Sequence, residues 1–150
     1  MMQDKTVDIL NSLIMLNNDR IAGYKVAFSE TKDEDLKDQI NQFIETSKEC
    51  KSELSAEVEK LGGRPEDMIR VNGKIFRAWM DFKNLMLRKD RRAVLGSCDY
   101  AEYVALNFYE KVLGNKDLAS TFIPMIKMQL QLIKMERDRV LEMRIPLMTA

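Results

Sequence analysis

The chain has 150 residues, which suits one domain with a sizeable core. Hydrophobic residues at 45% and charged residues at 32% give the ordinary balance of a soluble globular protein. Basic and acidic residues cancel at 24 each, so there is no electrostatic footprint for nucleic acid, and the absence of histidine rules out histidine-based nucleophile pairs and triads.

The first pattern is a helix from about Asp4 to Glu30. Its stripe is Val7, Leu10, Ile14, Asn17, Ile21, Tyr24 and Phe28, spaced three and four apart as on one face of a packed helix. Thr31-Lys32-Asp33 is a short turn with Asp33 as the expected N-cap. The second helix follows to about Leu61, with Leu36, Ile40, Phe43, Ser47, Cys50, Leu54 and Leu61 on its stripe. Gly62-Gly63 stops it and Pro65 prevents its resumption. A crossover of about residues 62–89 comes next. It carries a short amphipathic pattern, Ile75, Trp79, Phe82 and Met86, read as a crossing helix. The third long helix runs from about Asp90 to Leu113 with Leu95, Cys98, Glu102, Ala105, Tyr109 and Val112. Gly114-Asn115 closes it. The fourth starts near Asp117, has Pro124 in its first turns, and runs to about Arg144. Its stripe is Phe122, Ile126, Gln129, Ile133, Glu136, Val140 and Met143. Pro146 is expected to end it, leaving a flexible tail of about residues 145–150.

Two short links make two antiparallel hairpins, and the long link joins them. The expected fold is therefore all-α: a single ferritin-like four-helix bundle with one long crossover. Cys50 and Cys98 form no CxxC or zinc spacing and read as reduced core thiols. No P-loop or GxGxxG is present. The start, Met1-Met2-Gln3-Asp4-Lys5, has no apolar signal segment, and no apolar run approaches the ~20 residues that span a membrane. A cytoplasmic location is expected.

Counting depth along each stripe places Asn17, Ser47, Glu102 and Gln129 in one polar layer, one residue per helix. Tyr24, Cys98 and Glu136 fall in a neighbouring layer. A buried carboxylate must be neutralised, paired or fully hydrogen-bonded. One reading is a structural polar layer in which Asn17, Ser47, Gln129 and Tyr24 donate to the carboxylates. The other is a carboxylate-only metal site of Glu102 and Glu136, with iron or manganese as cofactor. A dinuclear site of the ferritin-like kind needs Glu-x-x-His, which this chain cannot supply. The fourth helix also carries a second apolar stripe, Met125, Met128, Leu132 and Met135. Either the crossing helix with Trp79 covers it, or it is a homodimer or other protein-partner interface.

Several segments together resemble a bacterial domain-of-unknown-function family of ferritin-like four-helix bundles. They are Glu53-Leu54 and Leu61-Gly62-Gly63-Arg64-Pro65, Asp99-x-x-Glu102 with Ala105, Leu106 and Tyr109, and Gln129, Asp138, Val140 and Arg144. Asp19 and Gly23-Tyr24 match in the first helix, where Ile21 and Ala22 replace acidic positions. Phe76-Arg77-Ala78-Trp79 looks like a His-Arg-x-Trp segment with Phe76 in the histidine place, and Arg137 stands where many members have histidine. The resemblance implies the same bundle topology and adds little about activity. The sequence thus reads as a non-enzymatic bundle with a structural or partner-binding role. The alternative is a metal-binding or iron-handling protein using core carboxylates.

Overall fold

The structure is a computed structural model, and it describes residues 2–67 and 91–149. Four long helices make up those segments: α1 (Met2–Glu30), α2 (Glu34–Lys60), α3 (Arg91–Leu113) and α4 (Ile123–Thr149). The crossing helix expected around Ile75, Trp79, Phe82 and Met86 lies outside the described residues.

α1 packs on α2 and α3 on α4 as two hairpins, while α1 also touches α3 and α2 touches α4. The bundle is therefore a square with α1 diagonal to α4 and α2 diagonal to α3. Thr6, at the start of α1, donates to the Asp117 carbonyl (3.1 Å) and accepts from the Ala119 amide (3.3 Å), both just beyond the end of α3. At the opposite end, Arg91 at the start of α3 pairs with Asp33 (3.0 Å) and Asp35 (2.6 Å) beside the α1–α2 turn. All neighbouring helices thus run antiparallel and the diagonal pairs run parallel, as one long crossover between hairpins requires.

Local chemistry sets the ends. Asp33 is the N-cap of α2 with an extended backbone, but its carboxylate makes no capping bond and takes Arg91 instead. α2 closes in a Schellman motif: the Gly62 amide donates to the Glu59 carbonyl and the Gly63 amide to the Val58 carbonyl, both at 2.9 Å. Gly62 has φ +81°, the left-handed region that glycine adopts without a Cβ clash. Gly63 lies so close to α1 that a Cβ there would stand 2.8 Å from a Val7 methyl. The following strand of chain is tied to α1. Asn11 donates to the Arg64 carbonyl (3.1 Å) and accepts from the Glu66 amide (2.9 Å), and Asn18 donates to the Glu66 carbonyl (3.4 Å).

Two expectations for the last helix are corrected. It begins at Ile123 after a 3-10 turn (Ser120–Phe122), not near Asp117, because Asn115 folds back to accept the Asp117 amide (2.9 Å) and holds a turn there. It also continues through Pro146 to Thr149. Proline removes one backbone donor, which leaves the Glu142 carbonyl without its helical partner. Glu142 and Pro146 both lie on the exposed side, where water can take that carbonyl.

The core has two apolar clusters. One holds Leu10, Leu13, Ile14, Leu54, Val58, Val112, Ile126 and Ile133. The other holds Leu36, Ile40, Phe43, Val94, Leu95 and Val140. Between the two clusters lie Asn17 and Arg20 on α1, Thr46 and Ser47 on α2, Glu102 on α3 and Glu136 on α4, a mid-bundle polar belt with hydrocarbon above and below, whereas Thr6, Ser97 and Gln129 are buried beside or within the clusters themselves. No helix among the described residues is long and apolar enough to cross a membrane.

Candidate functional site: a guanidinium between two core carboxylates

The belt is organised by a residue that the apolar stripe of α1 passes over. Arg20 is 1% exposed, and its guanidinium reaches into the bundle. Its Nη2 donates to Glu102 at 2.8 Å and 2.9 Å, one bond to each carboxylate oxygen, and Nε adds a longer bond at 3.3 Å. The same Nη2 donates to Glu136 at 3.0 Å, and Nη1 donates to the Ser47 hydroxyl. Tyr24, one turn along α1, donates its hydroxyl to Glu102, and Thr46 donates to the other oxygen of Glu136 at 2.6 Å. One cation from α1 is thereby shared by a carboxylate from α3, a carboxylate from α4 and a hydroxyl from α2.

A second network lies one layer nearer the start of α1. Asn17 donates to the Leu13 carbonyl (2.9 Å) and to the Tyr109 hydroxyl (3.0 Å), and Tyr109 donates to Gln129 (2.8 Å). Gln129 in turn donates to the Cys50 carbonyl at 3.4 Å. The side-chain oxygen of Asn17 is buried with no hydrogen-bond partner.

The layer expected from the sequence is therefore split. Asn17 and Gln129 meet through Tyr109, whereas Ser47 and Glu102 join Tyr24 and Glu136 around Arg20. The physical reason is antiparallel register. Seven residues forward from Glu102 on α3 is Tyr109, and seven residues back from Glu136 on α4 is Gln129, so the two pairs sit two turns apart. Of the donors expected for the carboxylates, Tyr24 does reach Glu102, whereas Arg20 takes the place of Asn17, Ser47 and Gln129 there. Cys98 is fully buried in the second apolar cluster, and Cys50 is buried as well; both are free thiols. Of the outer stripe, Met128 (71% exposed) and Met135 (56%) stand in the open, Leu132 is exposed, and Met125 is half-buried against the core. Trp79 lies outside the described residues.

The electrostatics follow from burial and pairing. Burial alone would lower the basicity of Arg20, but the Glu102 and Glu136 carboxylates hold its pKa well above the ordinary arginine value. Burial pushes the Glu136 carboxyl upward, and the neighbouring charge of Glu102 adds to that; Arg20 pulls it the other way. The Tyr24 hydroxyl is raised by burial and then by Glu102, so it is a donor and not a phenolate. Burial pushes the Cys50 thiol up to about 12 and the Cys98 thiol higher still, which leaves neither as a thiolate nucleophile.

Among the described residues no group of three or more histidine, cysteine, aspartate or glutamate side chains is placed to hold a metal ion. Glu102 and Glu136 are the buried carboxylates nearest to such an arrangement, and both are engaged by Arg20. The described residues do not fit a dinuclear carboxylate centre.

No curated protein matches this chain. A family model described as a domain of unknown function, DUF2383, matches residues 5–115. The matched span includes Arg20, Tyr24, Thr46, Ser47 and Glu102, while Gln129 and Glu136 on α4 fall beyond it. The chain belongs to the DUF2383 family.

Proposed function

We propose that this chain is a non-enzymatic bundle of ferritin-like connectivity with a structural and partner-binding role. The Arg20 guanidinium between Glu102 and Glu136 carries this reading. Metal-holding bundles of this connectivity aim carboxylates and histidines at ions in mid-bundle. Here the protein's own side chain supplies the positive charge, and the donor set contains no histidine. A divalent ion placed ~4 Å from the guanidinium would meet repulsion of ~8 kcal/mol at an effective dielectric of ~20. Iron or manganese on Glu102 and Glu136 is the alternative, and it would require Arg20 to withdraw. The partner-binding part is supported by the apolar side chains that α4 presents to solvent at Met128, Leu132 and Met135.

The test is elemental analysis of protein purified without chelator after growth with ample iron and manganese, beside a Glu102→Ala variant. The expected result is wild-type protein without stoichiometric metal. Stoichiometric metal that vanishes in the variant would overturn the reading and make Glu102 a ligand.

A further inference from the structure

We infer that the outer face of α4 pairs with α4 of a second copy of this chain, antiparallel, about a two-fold axis close to Leu132. This rests on the partner-binding reading above and names the partner. The apolar centre is Met128, Leu132 and Met135, all exposed on one side of the helix. Lys127 and Asp138 flank it, also exposed, and neither forms an ion pair among the described residues. They are eleven residues apart, ~16 Å and close to three full turns, so they share one edge of the stripe.

That arrangement is self-complementary in one orientation only. With the axis between Leu132 and Ile133, Lys127 of each copy comes level with Asp138 of the other, twice by symmetry. Met128 then lies within one turn of the second copy's Met135, and Leu132 meets its own counterpart. Lys134 comes level with Gln131, and Arg139, on the stripe, comes level with Ile126 while keeping Glu142 of its own helix as its partner (3.5 Å). A parallel two-fold pairing would carry this edge to opposite sides of the seam in the two copies, so Lys127 and Asp138 would not meet across it. The chain's own crossover starts elsewhere: residues 64–66 are bonded to Asn11 and Asn18 of α1, the helix diagonal to α4.

The test is molar mass by light scattering over a range of micromolar concentrations, with helicity followed by circular dichroism. Wild type is expected at twice the 17.5 kDa of one chain. Lys127→Asp and Asp138→Lys alone should each weaken association on the order of tenfold, because two attractive pairs become repulsive. The double exchange should restore it, and Met128→Asp should give monomer with unchanged helicity. Wild type at the mass of one chain throughout would overturn the pairing, as would a double exchange no stronger than either single one. Because the metal analysis reads the core alone, a monomeric metal-free protein sinks this inference only. A metal-laden protein sinks the reading beneath it.

Discussion

Replacing Arg20 by methionine should destabilise the bundle by ~3–5 kcal/mol, the range for breaking a buried ion pair from one side. The size follows from what is left behind. Among the described residues, Glu102 loses its charged partner and keeps the Tyr24 hydroxyl, and Glu136 keeps Thr46. The Ser47 hydroxyl loses its donor as well. Two carboxyls shut away from water must then ionise without compensation or take up protons, and methionine fills the volume without helping either. Urea titration followed by circular dichroism reads the loss directly. For a chain of this size a fall in melting temperature of ~6–20 °C should accompany it, at ~2–4 °C per kcal/mol. A companion variant separates pairing from packing: Arg20→Met with Glu102→Leu, Glu136→Leu, Tyr24→Phe, Thr46→Val and Ser47→Ala removes the network whole. It should be about as stable as wild type or more so, because a well-packed apolar replacement for a buried ionic cluster is often neutral or stabilising. A loss below ~1 kcal/mol in the single variant would mean that the carboxylates do not depend on Arg20.

Two further outcomes follow from the same contacts. The Glu136 carboxyl has a folded pKa above its ordinary value of 4.5, so the folded state holds that proton more tightly than the unfolded chain. Its stabilising contribution is full below that value and is lost as pH rises through the folded pKa, so the stability of wild type relative to Glu136→Gln should decline as pH rises from below 4.5 through the folded pKa. A difference that grows with pH would mean that Arg20 outweighs burial at this carboxyl. Tyr109→Phe should lower stability by ~1–3 kcal/mol in denaturant titration, because Gln129 loses its donor and Asn17 one of its two acceptors in a sealed layer. No measurable loss would show that water reaches this layer.

The bundle was legible because its punctuation is strong. Gly62-Gly63-Arg64-Pro65 has one conformational solution after a helix, and the turn after Glu30 is too short for anything but a hairpin. Glu102 and Glu136 were legible because charge on an otherwise apolar stripe is conspicuous. Arg20 was not, and the reason lies on α1 itself. Leu10, Leu13, Asn17, Arg20, Tyr24 and Ala27 keep the three-and-four spacing and are all fully buried. Choosing the apolar Ile21 over its charged neighbour at that turn shifts the stripe, although Ile21 is only half-buried. Two core glutamates with no apparent cation were the signal that an arginine at a stripe position belonged inside. Thr46 was missed for a related reason: it sits one position off the α2 stripe and reaches Glu136 sideways, because α4 is the lateral neighbour of α2. The layers were misassigned through the ends of the helices. Depth counted from the end of the bundle where α1 turns into α2 runs, on α4, back from an expected stop near Arg144; the helix runs on to Thr149, and such a slip in depth exchanges Gln129 for Glu136.

Arg20 is the cation held by Glu102 and Glu136, and its own guanidinium can report on that pairing. In nitrogen-15 NMR spectra of wild-type protein, the Arg20 side-chain N–H groups should appear as resolved, exchange-protected signals with slow rotation about the Nε–Cζ bond. They should be absent in Arg20→Met and unmoved by added manganese or zinc. A guanidinium that rotates and exchanges freely, or signals that shift when either ion is added, would contradict the account and return the two carboxylates to metal chemistry.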